Sequence, residues 1–87
     1  MLRIWIKEIK NNHLIKDVTI EDDSDDTRTH KVLNCLAKAC NELDIMQPIW
    51  LDSNIRDFKK YARTRFIQDS FMEEIDFDYL DFQVIEE

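Results

Sequence analysis

Apolar and polar residues alternate from Met1 to Ile9 and again from Leu14 to Glu21. A period of two marks β-strands with one buried face. Asn11, Asn12 and His13 separate the two runs, and asparagine tolerates the positive φ of a tight turn better than other residues with a side chain. The two runs therefore predict a β-hairpin, and side-chain chemistry chooses its register. A two-residue turn at Asn11–Asn12 sets Ile4 against Thr19, Ile6 against Asp17 and Lys7 against Lys16. A three-residue loop sets Ile4 against Ile20, Ile6 against Val18, Arg3 against Glu21, Trp5 against Thr19, Lys7 against Asp17, Glu8 against Lys16 and Ile9 against Ile15. The second arrangement opposes only unlike charges, each pair worth roughly 0.2–1 kcal/mol, and is the expected one. It assigns Ile4, Ile6, Val18 and Ile20 to the core and leaves Trp5, Ile9 and Ile15 on the far side.

Further along, Val32, Leu36, Ala39, Cys40 and Leu43 recur at helical spacing and predict a helix from about Asp26 to Leu43 with one apolar face. Pro48 opens a short strand, Ile49–Leu51, with Trp50 turned away from the core. A short helix over Asn54–Ala62 with Ile55 and Phe58 inward, an edge strand Thr64–Ile67, one or two helical turns over Asp69–Ile75 and a strand Asp78–Glu86 complete the chain. In the last strand Leu80, Phe82 and Val84 share one side; Tyr79, Asp81, Gln83 and Ile85 share the other. No repeat or linker interrupts residues 1–87, so one small domain is expected.

This order of elements, opening with a hairpin and crossing it with one main helix, resembles the β-grasp or ubiquitin-like fold. The resemblance implies an α+β domain with a mixed sheet of four to five strands packed on one main helix, the last strand parallel to the first. It also implies recognition through the sheet face that the helix leaves bare. Ubiquitin-like modifiers and sulfur carriers act through a Gly-Gly tail. This chain has no glycine and ends Val84, Ile85, Glu86, Glu87, so that chemistry is not carried over. Separately, Pro48 to Asp52, Phe58–Lys59, Thr64 to Phe66, Gln68–Asp69, Phe77 to Leu80 and Val84 to Glu87 resemble a family of short, uncharacterised bacterial proteins with no known activity. That likeness implies a bacterial cytoplasmic setting and adds no chemistry.

Composition narrows the function classes. No run reaches the roughly 18–20 apolar residues of a membrane span, and the first residues lack a signal-peptide layout, which makes the cytoplasm the expected compartment. Cys35 and Cys40 lie about 140° apart on a helix and read as buried free thiols. No cysteine–histidine spacing suggests a metal, and the acidic stretch Glu21–Asp26 reads as a helix start rather than a cation loop. Ser24, Ser53 and Ser70 have no histidine nearby in sequence, the only histidines being His13 and His30, no glycine-rich loop is present, and no cofactor is expected. The expectation is a protein without enzymatic activity.

Three surfaces could carry function. Trp5, Ile9, Ile15, Trp50, Tyr79 and Ile85 gather on the sheet side away from the main helix. They form either a partner surface, as tryptophan and tyrosine often do, or a second core beneath residues 54–75. Arg56, Lys59, Lys60, Arg63 and Arg65, with Tyr61 and Phe66 between them, could meet an anion or single-stranded nucleic acid, or simply face the eight carboxylates of residues 69–87. Finally, a net charge of −7 argues against general nucleic-acid binding but suits mimicry of a nucleic-acid backbone. The leading expectation is an interaction module that associates with itself or a protein partner through the aromatic sheet face. The alternative is an acidic or mixed-charge module engaging a nucleic-acid-binding system.

Overall fold

The computed structural model describes residues 1–87 and opens on the expected hairpin, β1 (Leu2–Lys10) and β2 (His13–Asp22). Both candidate registers are present, one at each end. Asn11 and Asn12 take φ of 52° and 64°, a two-residue turn that pairs Lys10 with His13 and Ile9 with Leu14. A bulge after Glu8 then shifts the ladder, and from Glu8–Lys16 to Arg3–Glu21 every pair is the charge-matched one. The turn follows from two adjacent asparagines, the favoured substitutes for glycine where φ is positive at both positions. The expected contact of Ile9 with Ile15 is lost, because Ile15 is the extra residue of the bulge.

Helix α1 (Arg28–Leu43) starts at Thr27, whose side chain accepts from the His30 N–H. It ends at Asp44, held at φ 56°, where the Asp44 and Ile45 N–H groups return to the carbonyls of Asn41 and Cys40. That double closure is usually made with glycine; this chain makes it with aspartate. Val32, Cys35, Leu36, Ala39, Cys40 and Leu43 are buried. Leu33, on the margin of the stripe, stays exposed.

Residues 45–51 form no strand. Ile49 makes one backbone bond, its N–H donating to the Ser70 carbonyl at 2.7 Å. Trp50 is instead anchored among Phe58, Phe66 and Phe82, edge to face, at 5.4, 5.0 and 5.8 Å. Helix α2 (Asp52–Tyr61) follows, then β3 (Arg63–Phe66), a 3-10 turn at Gln68–Ser70 and β4 (Tyr79–Glu86). Ile55, expected inward on α2, is exposed, and the helical turns expected over residues 69–75 shrink to the 3-10 turn. Asn54 ties these pieces together. Its amide donates to Thr64 Oγ1 and the Arg65 carbonyl, both at 2.9 Å, while its oxygen accepts from the Leu51 N–H and the Ser70 hydroxyl.

The strand order is β2-β1-β4-β3, and each neighbouring pair is antiparallel. The mixed sheet, with its last strand parallel to its first, is therefore not formed. Two helices rather than one cover the sheet, and both lie on the same side. Leu2, Ile4, Ile6, Ile20, Phe66, Leu80 and Phe82 point to them and form one core with α1, Phe58, Phe71 and Phe77. Full burial of an Ile, Leu or Phe side chain contributes about 1.5–3 kcal/mol, so this face supplies most of the drive to fold. The result is a two-layer α+β domain. No helix is long and apolar enough to cross a membrane.

Candidate functional site

The side of the sheet away from the helices is open. Strand alternation places Arg3, Trp5, Lys7 and Ile9 of β1 there, beside Asp17, Thr19 and Glu21 of β2, Tyr79, Asp81 and Gln83 of β4, and Arg63 and Arg65 of β3. Across the middle the ladder sets Asp17, Lys7, Asp81 and Arg65 side by side, so charge alternates strand by strand. Asp81 is the centre of this row. It is only 2% exposed, yet it receives the Lys7 ammonium at 3.3 Å and the Arg63 guanidinium through two hydrogen bonds. Burial alone would raise its pKa; Arg63 and then Lys7 outweigh that and hold the carboxyl below its ordinary range.

The same cations fix the aromatic rings. The Lys7 ammonium lies 3.9 Å from the Trp5 ring centre, and Trp5 Nε1 donates to Asp17 at 2.9 Å. The Arg65 guanidinium sits 4.6 Å from the Tyr79 ring centre. Arg3 reaches Glu21 on one side and Glu86 on the other. Trp5, Ile9 and Tyr79 are each half-buried.

The six aromatic and aliphatic residues expected on this face thus divide. Trp5, Ile9 and Tyr79 lie together on it, and Ile85, in the bulge where Arg3 pairs with Glu86, is exposed at its edge. Trp50 does not belong to the face: it packs on the core from the helix side. Ile15 lines a cleft at the end of the helix layer instead. Residues 54–75 do not cover the open face, because α2 sits in the helix layer through Phe58.

The basic run is divided as well. Arg56, Lys59 and Lys60 are exposed on α2, in the helix layer, whereas Arg63 and Arg65 stand on β3 in the open face. Arg63 is committed to Asp81 and Arg65 to Tyr79. Lys59 instead joins Arg28 at the rim of a mainly apolar groove of about 420 Å³ between α1 and α2, with Val32, Trp50 and Phe58 on its walls. Arg28 is already paired with Glu87. Phe66, between the cations in sequence, is wholly buried.

Two features of the surfaces escaped sequence reasoning. The first is the Lys7–Asp81–Arg63 junction, which depends on the direction of β4. Alternation does not reveal that direction: an antiparallel β4 sets Lys7 against Asp81 and Ile6 beside Phe82, but a parallel one would set Lys7 against Asp81 with Ile6 beside the equally apolar Leu80. The second is Glu8, which follows Leu2, Ile4 and Ile6 on the helix-facing side of β1 and is buried with them. Its opposite number is Lys16, as the register expects, but the two form no ion pair and Glu8 Oε2 has no hydrogen-bond donor. Desolvation raises the Glu8 pKa above its ordinary value; Lys16 opposes this only in part.

The thiols of Cys35 and Cys40 are free and buried. Burial pushes Cys40 up to about 11, with the Glu8 charge adding to it, so neither thiol is activated as a nucleophile. His30 is bonded to Asp26 at 2.9 Å at the exposed start of α1, and Ser70 is buried against Asn54. Comparison with protein-family models, curated proteins and solved structures finds no match to this chain.

Proposed function

We propose that this chain is a non-enzymatic cytoplasmic interaction module that docks through its open sheet face, and that a second copy of the chain is the first occupant to test. The observation that carries the reading is the uncovered face itself, with Trp5 near the middle of β1 and Tyr79 at the start of β4, each ring held against a cation. Aromatic side chains held in one rotamer lose little entropy on docking, and tryptophan and tyrosine supply much of the binding energy in interfaces.

Charge favours a second copy. Arg3, Lys7, Arg63 and Arg65 on this face balance Asp17, Glu21, Asp81 and Glu86, whereas the whole chain carries −7. The surplus of negative charge therefore lies elsewhere, and two open faces can approach without net repulsion. Two sheets packed face to face about a two-fold axis would bury both sets of rings.

Sedimentation across a concentration series tests this with two tryptophan variants. Wild type is expected to dimerise and Trp5→Ala to remain a folded monomer. Trp50→Ala removes a core anchor and is expected to cost about 3 kcal/mol of stability. A wild type that stays monomeric at millimolar concentration rules out the second copy. If Trp5→Ala also recovers the same proteins as wild type from a bacterial lysate, the sheet-face reading fails altogether.

A further inference from the structure

The Glu8 side chain lies on the opposite side of the sheet from the open face, at the head of a cleft of about 610 Å³. That volume is within the usual range, about 300–1,000 Å³, for small-ligand sites. The hairpin end closes one side with Glu8, Ile15 and Lys16; the end of α1 and residues 71–77 close the others. The last segment is stapled in place. Gln68 donates to the Glu73 carbonyl and accepts from the Ile75 N–H, and Phe71 stacks edge to face on Phe77 at 5.9 Å.

We propose that this cleft binds an organic cation, an ammonium or guanidinium group carried on an apolar stem, with Glu8 as its counter-ion. Glu8 is 4% exposed, and one of its carboxyl oxygens has no donor. Buried carboxylates nearly always have partners, and one without asks for an explanation. Neither neighbouring lysine supplies it: Lys10 and Lys16 are both exposed, and neither makes an ion pair with Glu8. Lys10 and Lys16 also line the cleft, but carboxylates outnumber them. Asp44, Glu73, Glu74 and Asp76 stand around it. The C-terminal end of α1, the negative pole of the helix, opens at Leu43 and Asp44, and its last turn contains no basic residue to offset it. Leu43, Phe71 and Phe77 are buried in its walls and offer an apolar surface to a stem. A bare metal ion suits the site less well, since no three His, Cys, Asp or Glu side chains are grouped to hold one.

The shared chemistry could come from a free amine or from a lysine or arginine side chain of a partner. Full-length protein would be titrated by NMR with pentylamine, agmatine, pentanol and a short lysine-containing peptide. The amines are expected to shift the resonances of Glu8, Ile45 and Phe77, and pentanol, which has the stem without the charge, to bind at least about tenfold more weakly, as expected for loss of a charged hydrogen bond. Glu8→Gln keeps the side-chain shape and is expected to weaken the amines by about tenfold while raising or preserving the melting temperature. Asp76→Asn, at the rim, is expected to weaken them about twofold to threefold by reduced charge attraction. Asp23→Asn removes an equal charge far from the cleft and is expected to change nothing. Tighter binding of the peptide than of the amines assigns the cation to a protein partner; the reverse assigns it to a small amine. The proposal is overturned if no amine binds, if pentanol binds as well as pentylamine, or if Glu8→Gln and Asp23→Asn behave alike. None of these outcomes touches the sheet-face reading, whose own test is the molar mass of Trp5→Ala.

Discussion

Glu8 and Asp81 make an instructive pair. Both are carboxylates on the sheet, Glu8 in β1 and Asp81 in the neighbouring β4, and they are 4% and 2% exposed. They face opposite ways. Asp81, toward the open side, sits between Lys7 and Arg63 and is held below its ordinary pKa. Glu8, toward the helices, has one oxygen without a donor and is pushed above its own. Equal burial thus has opposite electrostatic outcomes, decided by what the neighbouring strands present. Around Asp81 the open face holds its carboxylate fully paired, as Asn54 of α2 is fully bonded in the helix layer. The helix side leaves one charge unanswered, at the edge of a cleft.

The strongest way to break the contrast is Asp81→Ala. It strands Lys7 and Arg63 beside each other, and loss of one partner from a buried ion pair costs about 3 kcal/mol or more. Denaturant unfolding is expected to show that loss, and a change under about 1 kcal/mol would mean that the junction is no more than a surface pair. Lys7→Met is expected to cost less, about 1–2 kcal/mol, because Arg63 still holds Asp81 while the ammonium contact with Trp5 disappears. Its Trp5 fluorescence should also change, which reports release of the ring.

Glu8→Gln sharpens the contrast from the other side. Removing a buried, unpaired charge is expected to raise stability at pH 7 by about 1 kcal/mol. The pH dependences should then run in opposite senses. Glu8 binds its proton more tightly folded than unfolded, so its contribution is fully present below its ordinary 4.5 and is lost as pH rises through the elevated folded value. Asp81 binds its proton less tightly when folded. Its contribution is present above its ordinary 3.8 and disappears as pH falls through the depressed value. Thermal melts of wild type against Glu8→Gln are expected to converge near pH 4 and to separate toward pH 7; parallel curves would mean that Glu8 titrates normally.

The hairpin and the core face of the sheet are legible in the sequence, the contrast between Glu8 and Asp81 is not, and the failures have physical causes. The charge-matched hairpin register holds from Arg3 to Glu8 because unlike charges face each other all along it. Ile15 was misplaced because a two-residue turn and the charge-matched ladder differ by one residue, and a bulge accommodates both. Strand alternation assigns faces but carries no direction, so Ile4, Ile6, Phe82 and Val84 fit a parallel or an antiparallel β4 equally well. Trp50 was misread as a strand residue because three alternating positions have no periodicity to test, and its place is set by three phenylalanines from two other elements and β4. The isolation of Glu8 had no sequence signal at all. Lys16 stands opposite it in the correct register and still turns to solvent.

The most direct test of the account is a carboxyl titration by carbon-detected NMR that follows Glu8 and Asp81 in the same sample, free and with pentylamine. Asp81 is expected to titrate below 3.8 and Glu8 above 4.5 in the free protein. Pentylamine should draw Glu8 downward and leave Asp81 where it was. Two ordinary values, or a Glu8 already depressed without any cation present, would contradict the claim that one carboxylate is paired within the fold and the other is left for a ligand.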